Sequence, residues 1–545
     1  MKRLAACVVA FFSAVPILFA QETAPPSKAP SKEAPAAMLS VVVTDGRGNH
    51  IQSLTKEDFQ VAIGGTPVDI AKFSERGAGG APTREMRRIV VLFDMTTLSL
   101  NARHQAADSL HRFLARALRP GDLVAVLSGG QSLRTVTGWT ADLDQIDASL
   151  SQLSDDSAVS ITSPQAAAEK RIREIATDIQ QTGQTGHTLY TFDALMDAAR
   201  AYAAASYQDA EQNLSVISST VSLFTPRTRN VLIVVGGGLS RMPGAGVFQY
   251  VETIRTNASR GVLGSFLQSG ANASSPMGES SSYDLTPLFN SFGMRAWRRG
   301  VVLYAICSET SDDSGSSIEM QQAGDRLAAF TNSAGRFDGY HMLASETSGI
   351  AFVGRPAADA FDRIAADLES FYTIGVNPTA PISGKQSLAV KINNGYSVRV
   401  ARGSAGSGTP DDEMESRVIA NNLLGATENA LGIKVNAAPP VADGERRMVT
   451  VDVKIPIRKL RLVPDAGGVA GVFTVFIATG DSVGHSSNVT RQTKEVHWPA
   501  DAIARAGDKE LTFRVDVVLQ PGRSQISVGV MDEKSQEKGF DRLSV

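Results

Sequence analysis

Cysteine is nearly absent from the 545 residues: only Cys7 and Cys307 occur, so a fold held together by several disulfides is excluded. Tryptophan is equally scarce. Trp139, Trp297 and Trp498 are scattered along the chain and offer no run of aromatics on which bases or sugars would stack. Charge of either sign is not in excess, with 53 Lys and Arg against 56 Asp and Glu, which removes any bulk electrostatic pull toward nucleic acid or anionic lipid. Of the seven histidines none lies in an HExxH or Cys/His cluster, and His104 and His111 are too far apart on one helix to share a metal. No GxSxG pentapeptide lies between a strand and a helix, and no GxxxxGKS segment is present. Zinc hydrolases, serine hydrolases and nucleotide-dependent enzymes therefore lack their usual signatures, and the expectation is a protein that is not an enzyme.

What is present is ordinary for a folded protein: 43% apolar and 20% charged residues. At roughly 150 residues per domain the length implies three or four domains. Lys2 and Arg3 precede the apolar run LAACVVAFFSAVPILFA, which ends at Ala20. This reads as a secretory signal peptide over 1–20, since the run is short for a membrane span and is broken by Pro16. Cleavage would leave Cys307 alone and no integral membrane span, so the expected location is secreted or periplasmic.

Residues 21–37 are a Pro/Ala-rich linker by composition. Alternating segments over 38–80, with turns at Asp45–Gly48 and Gly64–Gly65, predict a small N-terminal β unit. From 85 to 375 apolar runs such as IVVLFD, DLVAVLS, NVLIVV and VVLYAIC alternate with amphipathic helices, the pattern of an α/β doubly wound, Rossmann-like parallel sheet. A hairpin over 376–402 is expected to pack with the N-terminal β unit, because neither is large enough to bury a core alone. The stretch 403–416 reads as a linker, and the alternating strands of 417–545 as an immunoglobulin-like β-sandwich.

A strand IVVLFD ending in an acid and followed by hydroxyl residues resembles the first strand and loop of a von Willebrand factor A (VWA) domain. With LTKEDFQVAIGGTPVDIAKFS, GDLVAVLSGGQSLRTVTGWTAD, NVLIVVGGGLS, VVLYAI and FYTIGVNP in order, residues 38–402 resemble the secreted acidobacterial VWFA-related family. The resemblance implies a VWA-like fold with a divalent cation at the C-terminal ends of the strands, held by an Asp-x-Ser-x-Ser loop, a Thr from a second loop and an Asp from a third. Asp94 matches the first position and Thr96 the second, while Leu98 replaces the next hydroxyl. Thr188 in GHTLY matches the second-loop Thr, and Val234–Gly238 carries no carboxylate where the third-loop Asp is expected. With Asp94, Thr96 and Thr188 as the candidate metal ligands, the site is degenerate, and any Mg²⁺ would be weakly bound because a single charge offsets little of the cost of dehydrating it. Otherwise Asp94 hydrogen-bonds its own loop.

The expected function is a protein-interaction or adhesion module that binds a protein, matrix or envelope partner at the strand ends through Asp94, Thr96, Ser99, Thr188 and Ser240, with no nucleic-acid partner. Metal-dependent adhesion through a partly retained site is one alternative, and an exported hydrolase with an unrecognised active site is another. Gly236–Gly238 reads as a plain strand-to-helix turn rather than a phosphate cradle. Arg295–Gly300, RAWRRG, reads as a solvated entry to a strand, and Cys307 as a small buried hydrophobe.

Overall fold

The computed structural model describes residues 37–76, 86–130, 133–155, 164–182, 192–224, 229–259, 275–307, 327, 330, 331, 335–376, 388–392, 395–403, 410–425, 429–444, 446–465, 468–481, 486–499, 509–520 and 523–545. The signal-peptide and linker readings over 1–36 lie outside them.

The N-terminal part comprises β1 (Ala37–Thr44), β2 (Phe59–Ile63), β3 (Thr66–Val68) and β4 (Ile70–Arg76). Next come β5 (Arg87–Asp94), α1 (Leu100–Ala117), β6 (Leu123–Gly129), β7 (Leu133–Thr140), α2 (Leu143–Asp155), α3 (Pro164–Thr182) and α4 (Phe192–Thr220). The α/β pattern continues through β8 (Arg229–Val235), α5 (Ala245–Ser259), the single turn α6 (Pro276–Glu279), α7 (Thr286–Arg298), β9 (Val301–Cys307), α8 (Asp338–Glu346), β10 (Ala351–Val353) and α9 (Ala357–Glu369).

The central sheet has the order β10-β9-β8-β5-β6-β7, parallel throughout except for β7, which runs antiparallel to β6. Its middle strand β5 is apolar on both faces because both are covered. Ile89, Val91 and Phe93 pack with α1, α2 and α9, whereas Val90 and Leu92 pack with α4, α7 and α8. Each such side chain removed from water contributes roughly 1.5–3 kcal/mol. A separate apolar cluster joins α3, the first half of α4 and α5.

Beyond this domain lie β11 (Phe371–Val376), β12 (Leu388–Ile392) and β13 (Ser397–Gly403). β11 and β13 flank β1 in the sheet β13-β1-β11-β4, and β12 joins β2 and β3 in the sheet β12-β2-β3. Both sheets contribute to one core that includes Val41, Phe59, Val61 and Ile374. A buried ionic cluster fastens this part to the α/β domain. Asp367 of α9 meets His50 Nε2 at 2.7 Å and Arg399 at 2.6 Å, and accepts from the Tyr304 hydroxyl at 3.1 Å. Burial pushes the Asp367 carboxyl up, but His50 and Arg399, with Arg363 nearby, outweigh it and hold it below the ordinary value.

The helix α10 (Pro410–Leu424) begins inside the stretch that composition marks as a linker. Proline followed by acidic residues is a helix-start pattern, and Met414 and Val418 supply an apolar face one turn apart. Those two pack on Phe476, Ala478, Met531 and Phe540, while Leu423 and Leu424 pack against the core of the α/β domain. The helix is therefore a structural wedge between the two halves. The final strands are β14 (Lys434–Ala437), β15 (Val441–Asp443), β16 (Arg446–Pro456), β17 (Val463–Asp465), β18 (Gly468–Asp481), β19 (Thr490–Pro499), β20 (Glu510–Leu519), β21 (Arg523–Asp532) and β22 (Lys538–Ser544). They form a four-stranded and a five-stranded sheet, antiparallel in every pairing, enclosing a shared core of Val449, Val451, Ile455, Val475, Ile477 and Val528.

Candidate binding site at the strand ends

Asp94 is the last residue of β5 and is buried, with 1% of its surface exposed. A buried carboxylate must be hydrogen-bonded or paired. Here the protein supplies every partner. Oδ1 accepts from the Thr96 amide at 3.1 Å and the Thr96 hydroxyl at 2.6 Å. Oδ2 accepts from the Thr97 hydroxyl and the Asn213 amide, both at 2.6 Å, and more distantly from the Tyr340 hydroxyl at 3.4 Å. Thr97 also accepts from the Gly237 amide at 2.8 Å, which ties the loop after β5 to the loop after β8. An ionised carboxylate has about four lone-pair sites, so these donors fill it.

The glycine run after β8 makes this arrangement possible. A methyl group on Gly236 would occupy the space of the Tyr340 hydroxyl, and one on Gly238 would come within 2.8 Å of Arg336 Cγ and 2.9 Å of its Nε. Glycine at the first position lets Tyr340 reach Asp94. At the third it lets Arg336 lie across the loop. Burial, followed by the charge of Asp94, holds the Tyr340 hydroxyl well above its usual pKa, so it stays protonated as a donor.

This donor set does not fit a divalent cation. Mg²⁺ needs free oxygen lone pairs, whereas both Asp94 oxygens are taken up by N–H and O–H groups, and the Asn213 amide directs its hydrogens at the carboxylate. Among the described residues no group of three or more His, Cys, Asp or Glu is placed to hold a metal.

Beside Asp94 lies a cavity of about 300 Å³, lined among others by Thr96, Thr97, Tyr202, Asp209, Ser240 and Arg336. The α4 helix supplies Tyr202, Asp209 and Asn213 from one face. Partial burial raises the Asp209 carboxyl, and stronger burial raises the Tyr202 hydroxyl. A few hydroxyls, one carboxyl and one guanidinium around so small a space suit recognition of a polar group. Among the described residues lining it there is no histidine, cysteine or lysine to serve as a nucleophile or base.

The residues singled out from sequence are placed differently from one another. Asp94 and Thr96 are together, with Thr96 on the cavity wall. Ser240 also lines the cavity, and its hydroxyl accepts from the Met242 amide at 3.2 Å. Ser99 instead caps α1, accepting from the Ala102 amide at 3.2 Å. Thr188 lies outside the described residues. Thr97, Asn213, Tyr340, Asp209 and Arg336 were not anticipated. A hint existed for Asn213, because asparagine is a poor residue for a helix interior unless its side chain has work there.

No protein-family model matches the chain, and no curated protein does. Among solved structures it is similar to the conserved hypothetical protein BatB from Bacteroides thetaiotaomicron, at 10% identity and a TM-score of 0.23, over 52% of this chain and 96% of that one. An aerotolerance-related membrane protein from Bacteroides fragilis is similar at 11% identity and a TM-score of 0.22, over 52% of this chain and 98% of that one. The three N-terminal domains of the type V pili tip protein Mfa5 from Porphyromonas gingivalis give 8% identity and a TM-score of 0.23, over 94% and 78% of the two chains. Likeness at this level carries no argument about family or activity. No described helix is long and apolar enough to cross a membrane.

Proposed function

We propose that the chain is an exported, VWA-like interaction module whose partner, a protein or an envelope or matrix component, docks at the C-terminal ends of the parallel strands without needing a divalent metal. The C-terminal β domain, an immunoglobulin-like sandwich in this reading, is an appended module. The observation that carries the proposal is the filled coordination of Asp94 beside a cavity at the strand ends, where open α/β sheets place their ligands. The strand order, with one antiparallel edge strand on an otherwise parallel sheet, supports the VWA-like part. In this reading Asp94 organises the loops, and the cavity wall of Thr96, Ser240 and Arg336 meets the partner.

The test is capture of envelope proteins by the purified chain in the presence and absence of a chelator, with Ser240→Trp filling the cavity. Capture that survives the chelator and is lost in Ser240→Trp is the expected result. Loss on chelation, restored by Mg²⁺, would favour metal-dependent adhesion, and turnover in a hydrolase substrate panel abolished by Ser240→Ala would favour an enzyme.

A further inference from the structure

A larger cavity, about 1240 Å³, lies away from the strand ends, between the α/β domain on one side and α10 with the C-terminal β domain on the other. One wall is the second half of α4. There Gln208, Ser215 and Ser218 recur at helical spacing and, with Ser222 in the turn that follows, line the groove with amide and hydroxyl groups. The facing wall is the end of α7, with Arg295, Trp297 and Arg298. The groove is closed by α10 and by the segment Ser486–Asn488.

Arg295 and Arg298 have no hydrogen-bonding or ionic partner among the described residues, unlike Arg299, which binds the Phe224 carbonyl at 3.1 Å and the Ser416 hydroxyl and so braces α10. Partial desolvation in the groove also draws the Arg295 guanidinium below its ordinary pKa, with no carboxylate offsetting it. A guanidinium matches a carboxylate through two parallel hydrogen bonds, and two of them at one helix end suit a ligand with repeated carboxylates.

We propose that this interdomain groove binds an acidic oligosaccharide, with its carboxylates on Arg295 and Arg298 and its hydroxyls on Gln208, Ser215 and Ser218 of α4. The volume exceeds the 300–1,000 Å³ or so typical of a single small ligand, which points to a chain of sugars. Glu211 and Glu415 also line the groove, and their charge penalises a dense polyanion such as nucleic acid while tolerating a sparsely charged chain. Neutral hydroxyl and amide side chains both donate and accept, as sugar hydroxyls do. Trp297 adds an aromatic face against which the C–H side of a sugar ring can pack. Proximity in space has assembled what scattered positions in the sequence did not suggest.

Titration calorimetry of the full chain tests this, with a hyaluronan hexasaccharide, which carries a carboxylate on every second sugar, as the probe, maltohexaose as a neutral control and hexaglutamate as an acidic peptide. The hyaluronan fragment is expected to bind at least about tenfold more tightly than either control, and the double variant R295A/R298A to lose at least about tenfold in affinity. Gln208→Ala and Ser215→Ala are each expected to weaken it by about threefold, the scale of one neutral hydrogen bond. Both arginines are exposed, so an unchanged unfolding midpoint will establish that the double variant is folded. Absence of hyaluronan binding, equal binding of hexaglutamate or an unaffected double variant would each overturn the proposal.

Discussion

Asn213, in the last third of the 29-residue helix α4, donates its side-chain amide to Asp94 at the tip of β5 across 2.6 Å. This bond joins a helix to a strand end through two polar side chains, both buried. It also occupies the lone pair that a cation would otherwise use.

Replacing Asn213 by leucine should therefore destabilise the protein by about 1.5–3 kcal/mol, the range for a hydrogen bond to a charged group. A lower urea midpoint would register it. Asn213→Asp is the more informative variant, since it sets two carboxylates against each other. Its midpoint should rise with millimolar Mg²⁺ while the wild-type midpoint stays fixed. A wild-type response of equal size would mean that Asp94 is open to metal after all.

Gly236→Ala should cost about 1–3 kcal/mol through overpacking against Tyr340. Combining it with Tyr340→Phe, which removes the colliding hydroxyl, should recover part of that loss. A double-mutant cycle in urea measures the coupling, and strictly additive losses would contradict the steric account.

Acid stability should carry the mark of Asp367. Its folded pKa lies below the ordinary carboxylate value of about 3.9, so the stabilisation is fully present above that value. It is lost as the pH falls below it and through the folded pKa. Urea midpoints followed downward from pH 6 should drop steeply below about pH 4 in the wild type. Asp367→Asn should be less stable at neutral pH and lack that part of the decline.

Cys307 is fully buried at the end of β9. Iodoacetamide should fail to label it in the native protein and label it promptly in 6 M guanidinium, as expected of a thiol inaccessible until the sheet opens. Rapid native labelling would show that the C-terminal end of β9 opens in solution.

Much of the α/β architecture was legible because burial on both faces of a strand leaves a continuous apolar run, as in Arg87–Asp94 and Val301–Cys307, and the intervening helices carry their own period. The helix at Pro410–Leu424 was less legible. Its first turns are acidic and polar, so the few apolar residues that it packs were outweighed by composition. At the site, Asp94 and Thr96 are neighbours in sequence and could be read together. Asn213 and Tyr340 come from remote helices, and nothing local in either segment announces that it meets Asp94. The glycine run had the opposite difficulty: its meaning lies in the side chains it admits, Tyr340 and Arg336, which only the folded chain brings near.

The pairing of β1 has a bearing on the order in which the molecule is built. Val41 lies opposite Tyr372 on one side and Val400 on the other, so the first described strand waits for partners that are synthesised after the entire parallel sheet. Contacts of such long sequence separation form late and slowly, because loop-closure entropy is lost before they give anything back. In a chain that emerges N-terminus first, β1 would remain a solvent-exposed edge until the end, prone to pairing with the wrong strand. The small sheet then acts as a clasp that can close on the N-terminal strand only after the parallel sheet has been made.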